Sequence, residues 1–315
     1  MKYCGLGRAL LRSMAGPARA EPGLPMPPIV LSPPGAGGER ITDDGLVANW
    51  YPGEGLAHRA TLLLLGGSEG GLGPGAARLA ADLVAHGFAV LQLAYFGAPG
   101  LPPALVMIPL EYFDKALLWL SRQLTVDPVR IGLIGASKGA EASLLIAARN
   151  PGIRAVAVGA PSAAVWPGMD FSGSGVIQSS WSVNAKPLPY LSYGGSATTM
   201  LGAYQSGLDT LPAHPEAAIP VERIRVSVLL VCGRDDTLWP SCTMSGIVAR
   251  KMGQRATLLA YDDAGHAVFG PPVAPDSPDY SFLGTLGGSP AGNDAARGDA
   301  WPKVRNFLIR ELAVR

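Results

Sequence analysis

Two segments of the chain read Gly-x-Ser-x-Gly, namely Gly66-Gly67-Ser68-Glu69-Gly70 and Gly135-Ala136-Ser137-Lys138-Gly139. A serine on a tight turn from a buried strand into a helix projects its hydroxyl above the sheet, and the helix N-terminus behind it favours developing negative charge. The second segment has that setting, with apolar Ile131–Ile134 before it and a helical run from Lys138 to Arg149 after it. A serine hydroxyl is a weak nucleophile at neutral pH and needs a base, itself oriented by an acid. Candidates for both follow later in the chain, each just past an apolar run. Asp235 and Asp236 follow Leu229–Cys232, and His266 follows Leu258–Tyr261. The chemistry implied is attack on an acyl carbon.

The chain order Ser137, Asp236, His266 is the order found in α/β-hydrolases. Of the two acids Asp236 is preferred, because Gly233-x-x-Asp236-x-x-x-Pro240 matches the spacing of the acid turn in those enzymes, and Asp235 is the fallback. Gly66–Gly70 also follows a buried run, but Gly71-Leu72-Gly73-Pro74-Gly75 comes next, so no helix can start at once. This loop is better placed to lend a backbone N–H to an oxyanion hole, with Ser68 N–H as one donor and Lys138 N–H as the other. The same glycines match a dinucleotide fingerprint, Gly71-x-Gly73-x-x-Ala76. The next strand ends Gln92-Leu93-Ala94-Tyr95-Phe96, without the acid that would hold a ribose. Tyr95, Phe96, Trp166 and Trp239 are candidate walls of a substrate pocket. His58, His86 and His214 lack evident partners. Neither the four histidines nor the three cysteines (Cys4, Cys232, Cys242) have metal-ligand spacing, and the cysteines are too few and scattered for a disulfide framework. No cofactor or metal is expected.

The elements that must position these residues alternate. Strand-like runs span Leu46–Tyr51, Thr61–Leu65, Phe88–Leu93, Val129–Ile134, Ile153–Val158, Val226–Cys232 and Ala256–Tyr261. Helical spacing covers Ala76–His86, Pro109–Leu124, Lys138–Arg149, Pro240–Met252 and Pro302–Ala313. Near-continuous apolar strands between helices predict a doubly wound, mostly parallel α/β sheet covered on both faces. The stretch from about 161 to 220 breaks this rhythm with aromatics among Gly, Ser and Pro. It is expected to be a cap-like insertion over the C-terminal edge of the strands.

Composition agrees with one large core. Of 315 residues, 48% are apolar and 16% charged, with a net charge of +1. This excludes nucleic-acid binding by bulk charge and a disordered chain. The 41 Gly and 29 Pro demand many turns without forming a fixed-period repeat. Residues 1–38 read as a leader and linker, unpacked from 21 onward, where six Pro and four Gly fall within 21–38. Residues 1–20 end in Ala18-Arg19-Ala20, which resembles a cleavage site, but Arg8 and Arg12 interrupt the apolar stretch an export signal needs. Cytoplasmic residence is the expectation, with export the alternative. No apolar run is long enough for a membrane span. The catalytic domain is expected to run over 39–315.

Several motifs together resemble one family, the C-terminal catalytic domain of acyl-CoA thioesterases and bile-acid-CoA:amino acid N-acyltransferases, related to dienelactone hydrolases. The resemblance rests on Ala94–Pro103, Ile108–Phe113, Gly135–Glu141, Ile219–Ile224, Gly233–Asp236 with Trp239, Ala264-Gly265-His266, Gly287–Pro290 and Asp299-Ala300-Trp301. It covers roughly Leu46 to Leu312 and implies an α/β-hydrolase fold acting on small-molecule acyl esters or thioesters. Animal members carry a β-sandwich ahead of this domain, where this chain has its leader and linker. Transferase members use Cys where this chain has Ser137, which implies transfer to water rather than to an amine. Acyl transfer to an amino acid, and a non-catalytic binding member of the fold, are the alternatives.

Overall fold

The computed structural model describes residues 29–53, 58–170, 177–195 and 197–312. Eight strands form its main sheet. They are β1 (Glu39–Ile41), β2 (Val47–Tyr51), β3 (Arg59–Leu65), β4 (Ala89–Ala94), β6 (Val126–Ala136), β7 (Ile153–Gly159), β10 (Val228–Gly233) and β11 (Ala256–Tyr261). Their order is β1-β2-β4-β3-β6-β7-β10-β11, antiparallel at the β1–β2 and β2–β4 pairs and parallel elsewhere. Six helices accompany them: α1 (Pro74–Ala85), α2 (Leu110–Ser121), α3 (Lys138–Arg149), α4 (Met200–Leu208), α5 (Ser241–Met252) and α6 (Pro290–Leu312).

The period of two along each strand sorts side chains into two cores. Leu63, Leu65, Leu91, Leu93, Val156, Val158 and Leu230 face α2, α3 and α5. Leu62, Leu64, Val90, Ala155, Ala157, Leu229 and Val231 face α1 and α6. Both faces being covered, the central strands carry unbroken apolar runs. Parallel pairing also delivers every β-to-α loop of this half of the sheet to the same edge, where ligands of such sheets bind.

The structure differs from the sequence expectation in four places. α6 starts at Pro290, twelve residues before Pro302. The buried residues of its first half are Asn293, Ala296, Arg297 and Ala300, small or polar, so no hydrophobic period marks them. Residues 29–38, expected to be unpacked, lie against the domain. The Ser32 N–H donates to Leu72 O at 2.8 Å, Asn49 and Arg40 side chains donate to Ser32 O, and Ile29 packs against the core on the α2, α3 and α5 side. The strand β1 follows directly and was not foreseen. Cys232 and Cys242 form a disulfide, one bridge across the turn between β10 and α5 that their distance in sequence did not suggest. Residues 1–28, on which the expected leader falls, lie outside the described residues.

Residues 160–227 contain α4, several 3-10 turns and the strands β8 (Trp181–Val183) and β9 (Lys186–Pro187). These strands complete a small sheet with β5 (Ile108–Pro109), which immediately precedes α2. Parallel β5–β8 pairing thus ties this segment to the main body.

Candidate active site

Ser137 sits between β6 and α3 with φ 56° and ψ −122°, a backbone region costly for a residue with a Cβ. Its N–H donates to Gly159 O at 3.0 Å, and its carbonyl accepts the N–H groups of Ala140 and Glu141 in the first turn of α3. The turn is tight because Gly139 lets α3 lie directly on the end of β3, where a Cβ would strike the carbonyls of Leu65 and Gly66. Closely approaching backbones explain this glycine.

The Ser137 Oγ lies 2.8 Å from Nε2 of His266, and Nδ1 of His266 lies 2.9 Å from Oδ2 of Asp236. A carboxylate can only accept, so Nδ1 carries the proton and Nε2 is left to accept the serine hydroxyl. The other carboxylate oxygen, Oδ1, accepts the N–H groups of Leu238 and Trp239 at 3.0 and 3.3 Å. Asp236 is 4% exposed, whereas Asp235 points to solvent. The structure therefore separates the two acids that spacing alone left as first choice and fallback.

Three groups that sequence reading missed support the histidine loop. The side-chain Oδ1 of Asn293 accepts the Gly265 N–H at 2.9 Å, while its Nδ2 donates to the carbonyls of Gly287 and Ser289. Asp263 accepts the Ser289 N–H and hydroxyl, which holds its carboxyl below the usual range. The His266 N–H donates to Leu286 O. The Gly287-Gly288-Ser289-Pro290 motif was the available signal, although nothing in it named Asn293. The Cys232–Cys242 bridge closes the turn that carries Asp236.

Beneath the nucleophile, Lys138 and Glu141 form a buried pair at 2.9 Å. Lys138 Nζ also donates to Ser180 Oγ, and Glu141 Oε1 accepts the Trp166 N–H and the Trp181 indole N–H at 3.1 and 2.8 Å. Burial pushes the Lys138 ammonium below its ordinary pKa, against the pull of Glu141. This network binds the segment after β7 to the first turn of α3. Glu141 was unmarked in the sequence except as part of the Gly135–Glu141 motif.

The other predicted residues divide. The Gly66–Gly70 loop does lie beside Ser137, since a Cβ on Gly67 would sit 3.2 Å from the Ser137 Cβ. Ser68 is exposed at its tip. Tyr95 and Phe96 are core residues in contact with each other, and the Tyr95 hydroxyl is shared between the carbonyls of Gly66 and Gly67 at 2.7 and 2.8 Å. Trp239 is buried edge-on to the His266 ring, with centroids 5.6 Å apart, and its indole N–H has no hydrogen-bond partner among the described residues. Tyr204 connects Trp239 to Trp166, at centroid separations of 5.4 and 4.7 Å. Among the described residues no cluster of His, Cys, Asp or Glu is arranged to hold a metal ion, and no helix is long and apolar enough to cross a membrane.

A mostly parallel sheet with a serine turn after its central strand defines the α/β-hydrolase fold, and solved structures agree. A putative dienelactone hydrolase from Klebsiella pneumoniae superposes with a TM-score of 0.55 at 13% identity, covering 87% of this chain and 98% of that one. The α/β hydrolase GrgF from Penicillium gives 0.53 at 16% identity, covering 86% and 96%. Within that class, the chain belongs to the BAAT / acyl-CoA thioester hydrolase C-terminal family, which it matches over residues 108–314. Acyl-coenzyme A thioesterase 6 of Mus musculus is 32% identical over 272 residues, 78% of this chain and 58% of the relative. Mitochondrial acyl-coenzyme A thioesterase 2 of Mus musculus is 29% identical over 253 residues, 77% and 54%. The chain thus spans little more than half the length of these relatives.

Proposed function

We propose that the protein is a serine hydrolase that cleaves an acyl ester or thioester through an acyl-enzyme. What carries this reading is the hydrogen-bonded sequence Ser137–His266–Asp236, with separations of 2.8 and 2.9 Å. His266 Nε2 takes the Ser137 proton as Oγ bonds to the acyl carbon, and Asp236 stabilises the imidazolium that forms. The tetrahedral oxyanion is held by the N–H groups of Lys138, at the start of α3, and of Ser68. Collapse expels the alcohol or thiol, which receives the proton from His266. Water then adds to the acyl-enzyme with His266 as base, releasing the acid and restoring Ser137.

The names of the relatives point to acyl-CoA thioesters as the first substrates to try. Trp239 and Trp166 are proposed walls of the acyl pocket, while Tyr95 and Phe96 act from within the core. A serine ester intermediate suits water as acceptor, so hydrolysis is favoured over transfer to an amine. The test is a side-by-side panel of p-nitrophenyl esters and acyl-CoA thioesters of increasing chain length, run with the Ser137→Ala variant as control. Turnover by the parent that the variant lacks is the expected result; equal turnover by both sinks the proposal.

A further inference from the structure

One acidic side chain at the site has no part in the steps above. Glu69 follows Ser68 in the loop between β3 and α1, and its side chain folds back along that loop. A Cβ on Gly66 would strike its Oε1. A Cβ on Gly67 would lie 2.9 Å from its Oε2 and 3.2 Å from the Ser137 Cβ, so the carboxylate and the nucleophile flank the same glycine. A Cβ on Gly73, the residue before α1, would lie 2.7 Å from its Cγ. Three glycines therefore leave room for one side chain, and the carboxyl group lies against the loop expected to face the oxyanion.

This carboxylate forms no salt bridge among the described residues. The charged or titratable groups around it are few. His266, on the histidine loop, is close enough to act on it electrostatically and is occupied by Asp236 and Ser137. Tyr95, the residue just after β4, is near it, its hydroxyl given to the carbonyls of Gly66 and Gly67, with Glu141 of α3 beyond. Arg78 of α1 pairs with Asp279. The residue as a whole keeps an exposed face, so the side chain has an open path outward. Packing around the carboxyl group itself raises its pKa, against hydrogen bonding from the Glu69 and Gly67 backbone and the nearby imidazole.

We propose that Glu69 is a gating residue of this site: folded over Gly66 and Gly67, its carboxylate sets a negative charge beside the developing oxyanion, and Ser137 is acylated from the state in which that side chain is neutral or turned outward. The inference rests on Ser137 being the nucleophile. Like charges in a partly enclosed cleft repel, so the ionised, folded-in form slows attack. A substrate whose acyl group displaces the side chain removes that penalty, which makes the gate a selector for substrates that fill the loop. The sign with pH is fixed. The penalty is absent at low pH, where the carboxyl is protonated, and grows as pH rises through its raised pKa.

The experiment follows the rate of Ser137 labelling by a fluorophosphonate probe from pH 5 to 9 in the parent and in Glu69→Gln and Glu69→Ala. Because the His266 limb is common to all three, the readout is the ratio of variant to parent. Expected is a ratio above one that grows with pH, reaching about tenfold at the alkaline end. Thermal unfolding identifies which variants are folded, and either folded variant serves. A ratio at or below one across the range in the folded variants overturns the gate. Absence of any labelling difference between the parent and Ser137→Ala overturns the nucleophile assignment and the gate with it.

Discussion

The two Gly-x-Ser-x-Gly loops lie at the ends of neighbouring strands, β3 and β6, and resemble one another over five residues. After Ser137 a helix starts at once. The serine is its N-cap at φ 56°, and the hydroxyl is fixed against His266. After Ser68 the chain passes through Gly70 and Gly71, both at positive φ, and α1 begins only at Pro74. Ser68 is left exposed at a loop tip, while its neighbour Gly67 lies against Ser137. The element following the motif therefore decides whether the serine side chain is fixed against the histidine or left exposed at a loop tip.

The largest effect expected on this comparison comes from the serines themselves. Ser137→Ala lowers kcat by about ten-thousand-fold or more, whereas Ser68→Ala, which keeps the backbone N–H, stays within about twofold. Steady-state kinetics on one hydrolysed substrate checks both, and a comparable loss in the two variants breaks the contrast. The same logic applies to the adjacent acids. Asp236→Asn leaves the geometry but favours the wrong imidazole tautomer and costs about a thousand- to ten-thousand-fold in kcat, while exposed Asp235→Asn has little effect.

A smaller effect tests the contact between the two loops. Gly139→Ala places a methyl against the carbonyls of Leu65 and Gly66, which are backbone and cannot rotate away. Overpacking of that kind costs about 1–3 kcal/mol and shifts both loops, so the urea midpoint and kcat/KM should fall together. An unchanged midpoint contradicts the close approach.

Much of this site was legible because its chemistry is local in sequence. Each of Ser137, Asp236 and His266 follows its own apolar strand, two of them buried and the third, β11, a partly exposed edge strand, so type and order could be read from the chain. The supports were less visible. Asn293 and Arg297 are buried polar residues on a helix whose first half has no apolar stripe, and Glu141 is a charged residue that the fold buries against Lys138, Trp166 and Trp181. Cys232 and Cys242 meet only because the Asp236 turn folds back from β10 onto α5. Ile29 reads as linker by composition, yet it packs at Gly70 and Gly97, two loops brought together by the sheet. In each case the partner comes from elsewhere in the chain, and single-residue character carries no record of it. Tyr95 shows the same limit from the other side, because its aromatic character suggested a pocket wall and its partners turned out to be loop carbonyls.

Tyr95 also provides the most delicate test of why the first loop holds its shape. Burial, reinforced by the charges of Glu69 and Glu141, raises its phenol well above the ordinary pKa, so the hydroxyl remains a donor throughout the working pH range. That single O–H is shared between the carbonyls of Gly66 and Gly67. Tyr95→Phe keeps the ring packing against Phe96, Phe113 and Trp181 and removes only the donor. Two buried carbonyls then lose their shared partner, which costs about 1–3 kcal/mol. Because Gly67 stands directly beside Ser137, the loosening should reach the chemistry as a few-fold loss in kcat with little change in KM. The second loop has its own props: the Ser143 hydroxyl donates to Gly139 O at 2.7 Å, and the Lys138 side chain is tied to Glu141 and Ser180. A Tyr95→Phe variant with parental unfolding midpoint and parental kcat would mean that the first loop holds its shape without this hydroxyl.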